Sequence, residues 1–139
     1  MSRLKFLVVD YYEDNRWLVV RALRTRFPTA EVLESGREDE AIQIAASKKL
    51  AAIIVHRAAG MDHGETVAVL RRISVAVPIV MISGIDRQKL AKESGANCFH
   101  LYGRWKEIGS VVADLISAEK AGFGAQNHPA DGELERGTT

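Results

Sequence analysis

Five short runs of apolar or β-branched residues punctuate the chain: Leu4 to Val9, Glu31 to Leu33, Ala52 to Val55, Ile79 to Ile82 and Cys98 to Tyr102. The first, third and fourth are almost unbroken in apolar residues, the pattern of a strand covered on both faces in a parallel sheet. The second is weaker and suits a sheet edge. The segments between the runs have helical spacing. Val19, Leu23 and Phe27 recur every four residues, with Asp14 placed as an N-cap. Ser35 and Glu38 make an S-x-x-E capping box ahead of Ala41, Ile44 and Ala45. Val69, Leu70 and Ile73 mark a third helix, and Leu90 and Ala91 a fourth that Asp86 would open. Trp105, Ile108, Val111, Val112, Leu115 and Ile116 give the clearest apolar stripe. Five βα units in succession predict an α/β fold: a doubly wound, five-stranded parallel sheet with five helices on its two faces. Core packing accounts for the apolar stripes, so no cofactor is expected.

Composition narrows the class. The chain has 139 residues, 47% of them hydrophobic and 27% charged, as in one ordinary globular domain. A formal net charge of +1 gives no general pull toward nucleic acid or an acidic membrane. The single cysteine, Cys98, has no partner for an internal disulfide, which fits a reducing compartment. The amino terminus has no signal-peptide pattern, and no apolar run approaches the ~20 residues of a membrane span. A cytoplasmic protein is expected. After Lys120 the chain turns polar and Gly-rich, so residues 1–120 read as the domain and 121–139 as a disordered polar tail. That tail offers no helix-turn-helix, and direct DNA binding is not expected.

In open α/β sheets, ligands bind at the carboxyl ends of the strands. The residues standing there are Asp10 and Tyr11 after the first strand, His56 after the third, Ser83 after the fourth, and Tyr102 with Gly103 after the fifth. They are expected to converge in one cleft. The run Phe6-Leu7-Val8-Val9-Asp10, the turn Gly60-Met61-Asp62, the step Ile82-Ser83-Gly84 and the triplet Gly95-Ala96-Asn97 together resemble the receiver domain of bacterial response regulators, across about residues 3 to 118. The resemblance implies a flavodoxin-like strand order of 2-1-3-4-5 and a place in two-component signalling. It also implies a chemistry. In a working receiver, two acids after the first strand and an aspartate after the third hold Mg²⁺, and that last aspartate accepts a phosphoryl group from a histidine kinase. A Ser or Thr after the fourth strand and a Lys-Pro pair after the fifth bind the phosphoryl oxygens.

This chain matches that set at two positions only, Asp10 and Ser83. Tyr11 replaces the second acid, His56 the accepting aspartate, Tyr102 the lysine and Gly103 the proline. Mg²⁺ wants hard oxygen ligands in octahedral array, and transfer of a phosphoryl group relies on charge neutralisation. With both depleted, a degenerate pocket is expected, with no metal site, no phosphoaspartate and no enzymatic activity. The implied function is that of a pseudo-receiver, acting through phosphorylation-independent contact with a histidine kinase or another response regulator. A response regulator phosphorylated at a substitute site, and a small-ligand binder in the altered pocket, stand as alternatives. The resemblance also assigns Ser83 and Phe99 to the positions that switch in the family, and it implies a homodimer through helices four and five or one and five.

Other readings of the same residues carry less weight. His56 lacks the exposed helical setting of a phosphotransfer histidine. Paired with Asp10, it is more simply an inert structural pair than a pH sensor. Asp10, His56, His63 and His100 lack the close helical spacing of zinc ligands. Ser83 and His56 come without a G-x-S-x-G elbow, and no phosphate-binding glycine loop is present. Arg21, Arg24 and Arg26, and Arg71 and Arg72, read as solvated faces. Trp17 falls off the Val19 row of the first helix. With Leu90 and Trp105 it is a candidate interface residue, since aromatics are enriched at interfaces.

Overall fold

A computed structural model describes residues 3–56 and 63–126, with the side chains of residues 63, 64 and 121–126 left aside. The strands are β1 (Lys5–Val9), β2 (Glu31–Ser35), β3 (Ala52–His56), β4 (Ile79–Ser83) and β5 (Cys98–Leu101). The helices are α1 (Glu13–Arg26), α2 (Glu38–Ser47), α3 (His63–Ile73), α4 (Gln88–Ser94) and α5 (Ile108–Gln126). A 3₁₀ segment, Tyr102–Glu107, joins β5 to α5. All four strand pairings are parallel, in the order β2-β1-β3-β4-β5. This is the five-stranded, flavodoxin-like sheet that the pattern and the resemblance predict.

Strand alternation sorts the core into two layers. Phe6 and Val8 of β1, Ile54 of β3, and Val80 and Ile82 of β4 meet Val19 and Leu23 of α1 and Ile108 and Val112 of α5. Leu7 and Val9, Ile53 and Val55, and Ile79 and Met81 meet Ala41 of α2, Val67 and Leu70 of α3 and Ala91 of α4. Every residue of β3 and β4 is buried, which is why both runs are apolar on both faces. Each large side chain buried this way stabilises the fold by about 1.5–3 kcal/mol. α1 and α5 approach closely at Gly109. A Cβ there would stand 2.6 Å from the Arg26 Cβ and 3.0 Å from the Ala22 carbonyl oxygen.

Several local expectations are corrected. Tyr12, not Asp14, is the N-cap of α1, and Asp14 lies in the first turn. The Asp10 side chain takes the Tyr12 N–H at 2.9 Å, so the helix starts two residues earlier than the spacing suggests. Ser35 and Glu38 form no capping box. Arg37 is the N-cap of α2, and the Ser35 hydroxyl folds back on the Arg37 backbone. Asp86 precedes the N-cap Arg87 of α4 and accepts the Gln88 N–H at 2.9 Å. The boundary placed at Lys120 falls inside α5, which continues to Gln126. Residues 127–139 and the Gly60-Met61-Asp62 turn lie outside the described residues.

Arg71 is the largest departure. It is not a solvated surface cation. Its guanidinium donates to the carbonyls of Gly95 (3.0 Å), Ser74 (3.1 Å), Val75 (3.0 Å) and Val77 (2.7 Å), and to the Asn97 side chain. Asn97 in turn accepts the Ile79 N–H. One fork of donors thus ties the end of α3 to the loops that lead into β4 and β5. Burial lowers the Arg71 pKa from its ordinary value, and the charge of Glu119 opposes that shift. α4 ends at Gly95, whose φ of 97° lies in the left-handed region that glycine enters without strain.

Candidate functional site

The parallel registers bring the carboxyl ends of β1, β3 and β4 level. Val9 stands beside Val55, His56 beside Ile82, and Ser83 beside Leu101 of β5. Asp10 follows Val9, so its side chain falls on the α1/α5 side that Phe6 and Val8 also face. His56 shares that side with Ile54. The two meet: His56 Nδ1 lies 2.8 Å from Asp10 Oδ2, with His56 6% and Asp10 1% exposed. An ionised carboxylate only accepts, so the proton of this bond sits on Nδ1 and the imidazole donates. The second carboxylate oxygen is engaged by the Tyr12 N–H.

Tyr102 roofs the pair. Its ring stacks on the His56 ring at a centroid distance of 4.9 Å and an interplanar angle of 24°. Its hydroxyl donates to the Asn15 carbonyl in the first turn of α1 at 3.1 Å. Burial, with the nearby Asp10 charge, pushes the Tyr102 pKa up to about 12. A phenol held neutral in this way is a hydrogen-bond donor at ordinary pH. Asp10, His56 and Tyr102 therefore form one stacked and hydrogen-bonded unit that spans β1, β3 and the exit of β5 and closes against α1.

The other expected pocket residues divide. Ser83 is buried, and its hydroxyl accepts from Arg87 Nε at 3.1 Å, which ties it to the start of α4. Tyr11 is not part of the cluster. Side chains alternate along the backbone, so Asp10 points in and Tyr11 points out, 61% exposed and edge-on to Tyr12. Phe99 is half-buried and packs against the α2–α4 layer, as does Leu90. Trp17 is 56% exposed, with the Arg21 guanidinium 5.4 Å from its ring centroid. Trp105 is half-buried against the α1/α5 layer. His100 bonds to the Arg104 carbonyl through Nε2 at 2.7 Å, and the side chain of His63 is outside the described residues.

Two site residues escape a reading of the sequence. Arg16 donates from Nη1 to the Asp10 carbonyl (2.6 Å) and from Nε to Glu34 (3.0 Å), clamping the turn after β1 to β2. A Cβ at Gly36 would stand 3.0 Å from that same Nη1, so the small residue leaves room for the arginine. Arg87 is the second. The only signal for either is a lone arginine a few residues past a strand end.

The residues present do not fit the Mg²⁺ that the resemblance would imply. One carboxylate remains at the three acidic positions, and both its oxygens are taken by the Tyr12 N–H and His56. Among the described residues, no three of His, Cys, Asp and Glu gather closely enough to hold a metal ion. No described helix is long and apolar enough to cross a membrane.

No protein-family model and no curated protein sequence matches the chain. Solved structures do match its backbone. A CheY-like response regulator receiver domain protein from Methanospirillum hungatei superposes with a TM-score of 0.73 at 12% identity, covering 87% of this chain and 99% of that one. The signal receiver domain of the response regulator NarL from Mycobacterium tuberculosis gives 0.71 at 24% identity, covering 84% and 98%. The chemotaxis response regulator CheY4 of Vibrio cholerae gives 0.65 at 21% identity, covering 80% and 99%. The chain has the fold of response-regulator receiver domains.

Proposed function

We propose that this chain is a pseudo-receiver, a signalling module of the two-component type that binds a protein partner and is not itself phosphorylated. The observation that carries the reading is the closed unit of Asp10, His56 and Tyr102. His56 occupies the position of the phosphoryl-accepting aspartate and is hydrogen-bonded to the one acid retained there. Tyr102 occupies the position of the lysine, and its ring covers the imidazole. The carboxylate is committed to His56 and the Tyr12 N–H and the phenol to the Asn15 carbonyl, so the unit offers no lysine and no bound metal to neutralise a transferring phosphoryl group. The protein has no catalytic role in this reading.

In this reading the pocket residues also keep an output surface in one state. In the resembled family, phosphorylation moves the hydroxyl residue and the aromatic of the fifth strand. Here Ser83 is held by Arg87, and the exit of β5 is tied through Tyr102 to α1. The partner is a histidine kinase or a second response regulator, and the chain pairs with itself as a homodimer.

The test is intact mass after incubation with acetyl phosphate and Mg²⁺, run beside the triple variant Tyr11→Asp, His56→Asp, Tyr102→Lys. The wild-type mass is expected to stay unchanged, while the variant, with the missing groups restored, gains a phosphate. A wild-type adduct that disappears in Asp10→Ala refutes the reading. Capture from a panel of histidine kinases and response regulators of the source organism tests the partner. Failure of the whole panel to bind counts against a two-component role.

A further inference from the structure

At the opposite end of the sheet from Asp10 and His56 lies an apolar groove of about 800 Å³. Leu4, Leu50, Val75, Val77, Pro78 and Ile116 line it, between the start of β1, the α2–β3 loop, the α3–β4 loop and α5. Val75 is 78% exposed and Leu4 42% exposed, so a substantial apolar surface faces solvent. The wall carrying Val75 is pinned by hydrogen bonds. The Arg71 guanidinium holds the carbonyls of Ser74, Val75 and Val77 at once.

The charge at the rim is net positive, three lysines against one glutamate. Lys48, Lys49 and Lys120 border the groove, all three exposed and without an ion pair among the described residues. The remaining charged lining residue, Glu119, lies close enough to Arg71 for its charge to favour that guanidinium. Three uncommitted ammonium groups thus surround an apolar cleft. The volume falls in the ~300–1,000 Å³ range of small-molecule sites, which combine an apolar lining with a few placed polar groups. The chain's own residues 127–139 are a poor occupant. They offer one large aliphatic side chain, Leu134, against the entropy of ordering many residues.

We propose that this groove binds a small amphipathic anion of the long-chain carboxylate class, its chain along Val75, Leu50 and Ile116 and its head among Lys48, Lys49 and Lys120. The site is independent of the Asp10–His56 pair and stands whether or not the chain is a pseudo-receiver.

Isothermal titration calorimetry of the full chain with dodecanoate and with dodecyltrimethylammonium, both below micelle-forming concentration, tests it. The two probes share a chain length and differ in the sign of the head. Dodecanoate is expected to bind saturably at one site, at least about tenfold more tightly than the cation. Val75→Asp, and separately Lys48→Glu with Lys49→Glu, should each weaken dodecanoate about tenfold. These positions are exposed, so the thermal midpoint of each variant should match the wild type, which separates lost binding from lost folding. Equal affinity for the two probes, or undiminished binding in the variants, overturns the proposal. A Leu134→Ser change that strengthens dodecanoate about tenfold also overturns it, since the groove would then be the seat of the chain's own tail.

Discussion

Asp10, His56 and Tyr102 show how three side chains in a pocket support one another. A buried carboxylate without partners is costly, and removing one partner of a buried pair leaves that cost exposed. His56 supplies the donor that Asp10 needs, and Tyr102 covers the imidazole while its hydroxyl finds the Asn15 carbonyl. Tyr102→Phe keeps the ring and removes the bond. Urea unfolding is expected to show a loss of about 0.5–1.5 kcal/mol, the net worth of one hydrogen bond. The same residue sets an alkaline dependence. Its pKa is raised from 10.0 to about 12, so between those values the unfolded chain gives up a proton that the folded chain keeps. Stability from this group is complete below pH 10 and falls as pH rises toward 12. Unfolding curves across that window should show the decline, and Tyr102→Phe should remove that residue's share of it. An identical slope in wild type and variant would show that Tyr102 ionises as freely as in the unfolded chain.

At the scale of elements, two contacts fix how helices sit on the sheet. Arg71 joins α3, the loop before β4 and the loop before β5 through one side chain. Arg71→Ala is expected to cost about 2–3 kcal/mol in urea unfolding, as for other broken hydrogen-bond networks. Arg71→Lys should recover little of it, because a single ammonium cannot span four carbonyls and an amide. A variant within about 0.5 kcal/mol of wild type, the usual range for a surface substitution, would return Arg71 to the solvated face first expected for it. Gly109 is the other contact. Its added Cβ would press on the backbone of α1 at the Ala22 carbonyl as well as on Arg26. Gly109→Ala is expected to lower stability by about 1–3 kcal/mol through overpacking, even though alanine is the better helix former.

For the molecule as a whole, the pocket end of the sheet is internally satisfied and the opportunities for contact lie elsewhere. Trp17 stands out from α1 under Arg21, and the Trp105 ring is half-buried nearby, with Lys106 5.8 Å from its centroid. Such aromatics serve as anchors when a partner covers them. A homodimer should give twice the 15.3 kDa chain mass by light scattering at high concentration, and a monomer there would remove self-association from the proposed function. The lysine-rimmed groove lies at the far end, so a ligand there and a partner on α1 need not compete.

The sequence by itself determined the order of elements, because alternating strand and helix periods are local and each apolar run must find cover on both faces. It also determined that Asp10, His56, Ser83 and Tyr102 stand at strand ends, since that follows from where the runs stop. Tertiary structure decided what those residues do. Asp10 and His56 are 46 residues apart and meet only through the β1–β3 register, and Tyr102 reaches Asn15 across 87 residues. Sequence could not separate Arg71 from its neighbour Arg72, one a clamp and the other exposed, because helix phase matters only once a loop packs against one side. Nor could it tell Asp10, pointing in, from Tyr11, pointing out. The groove between Val75 and Ile116 has no local signature at all: it forms where four segments distant in the chain end at the same height.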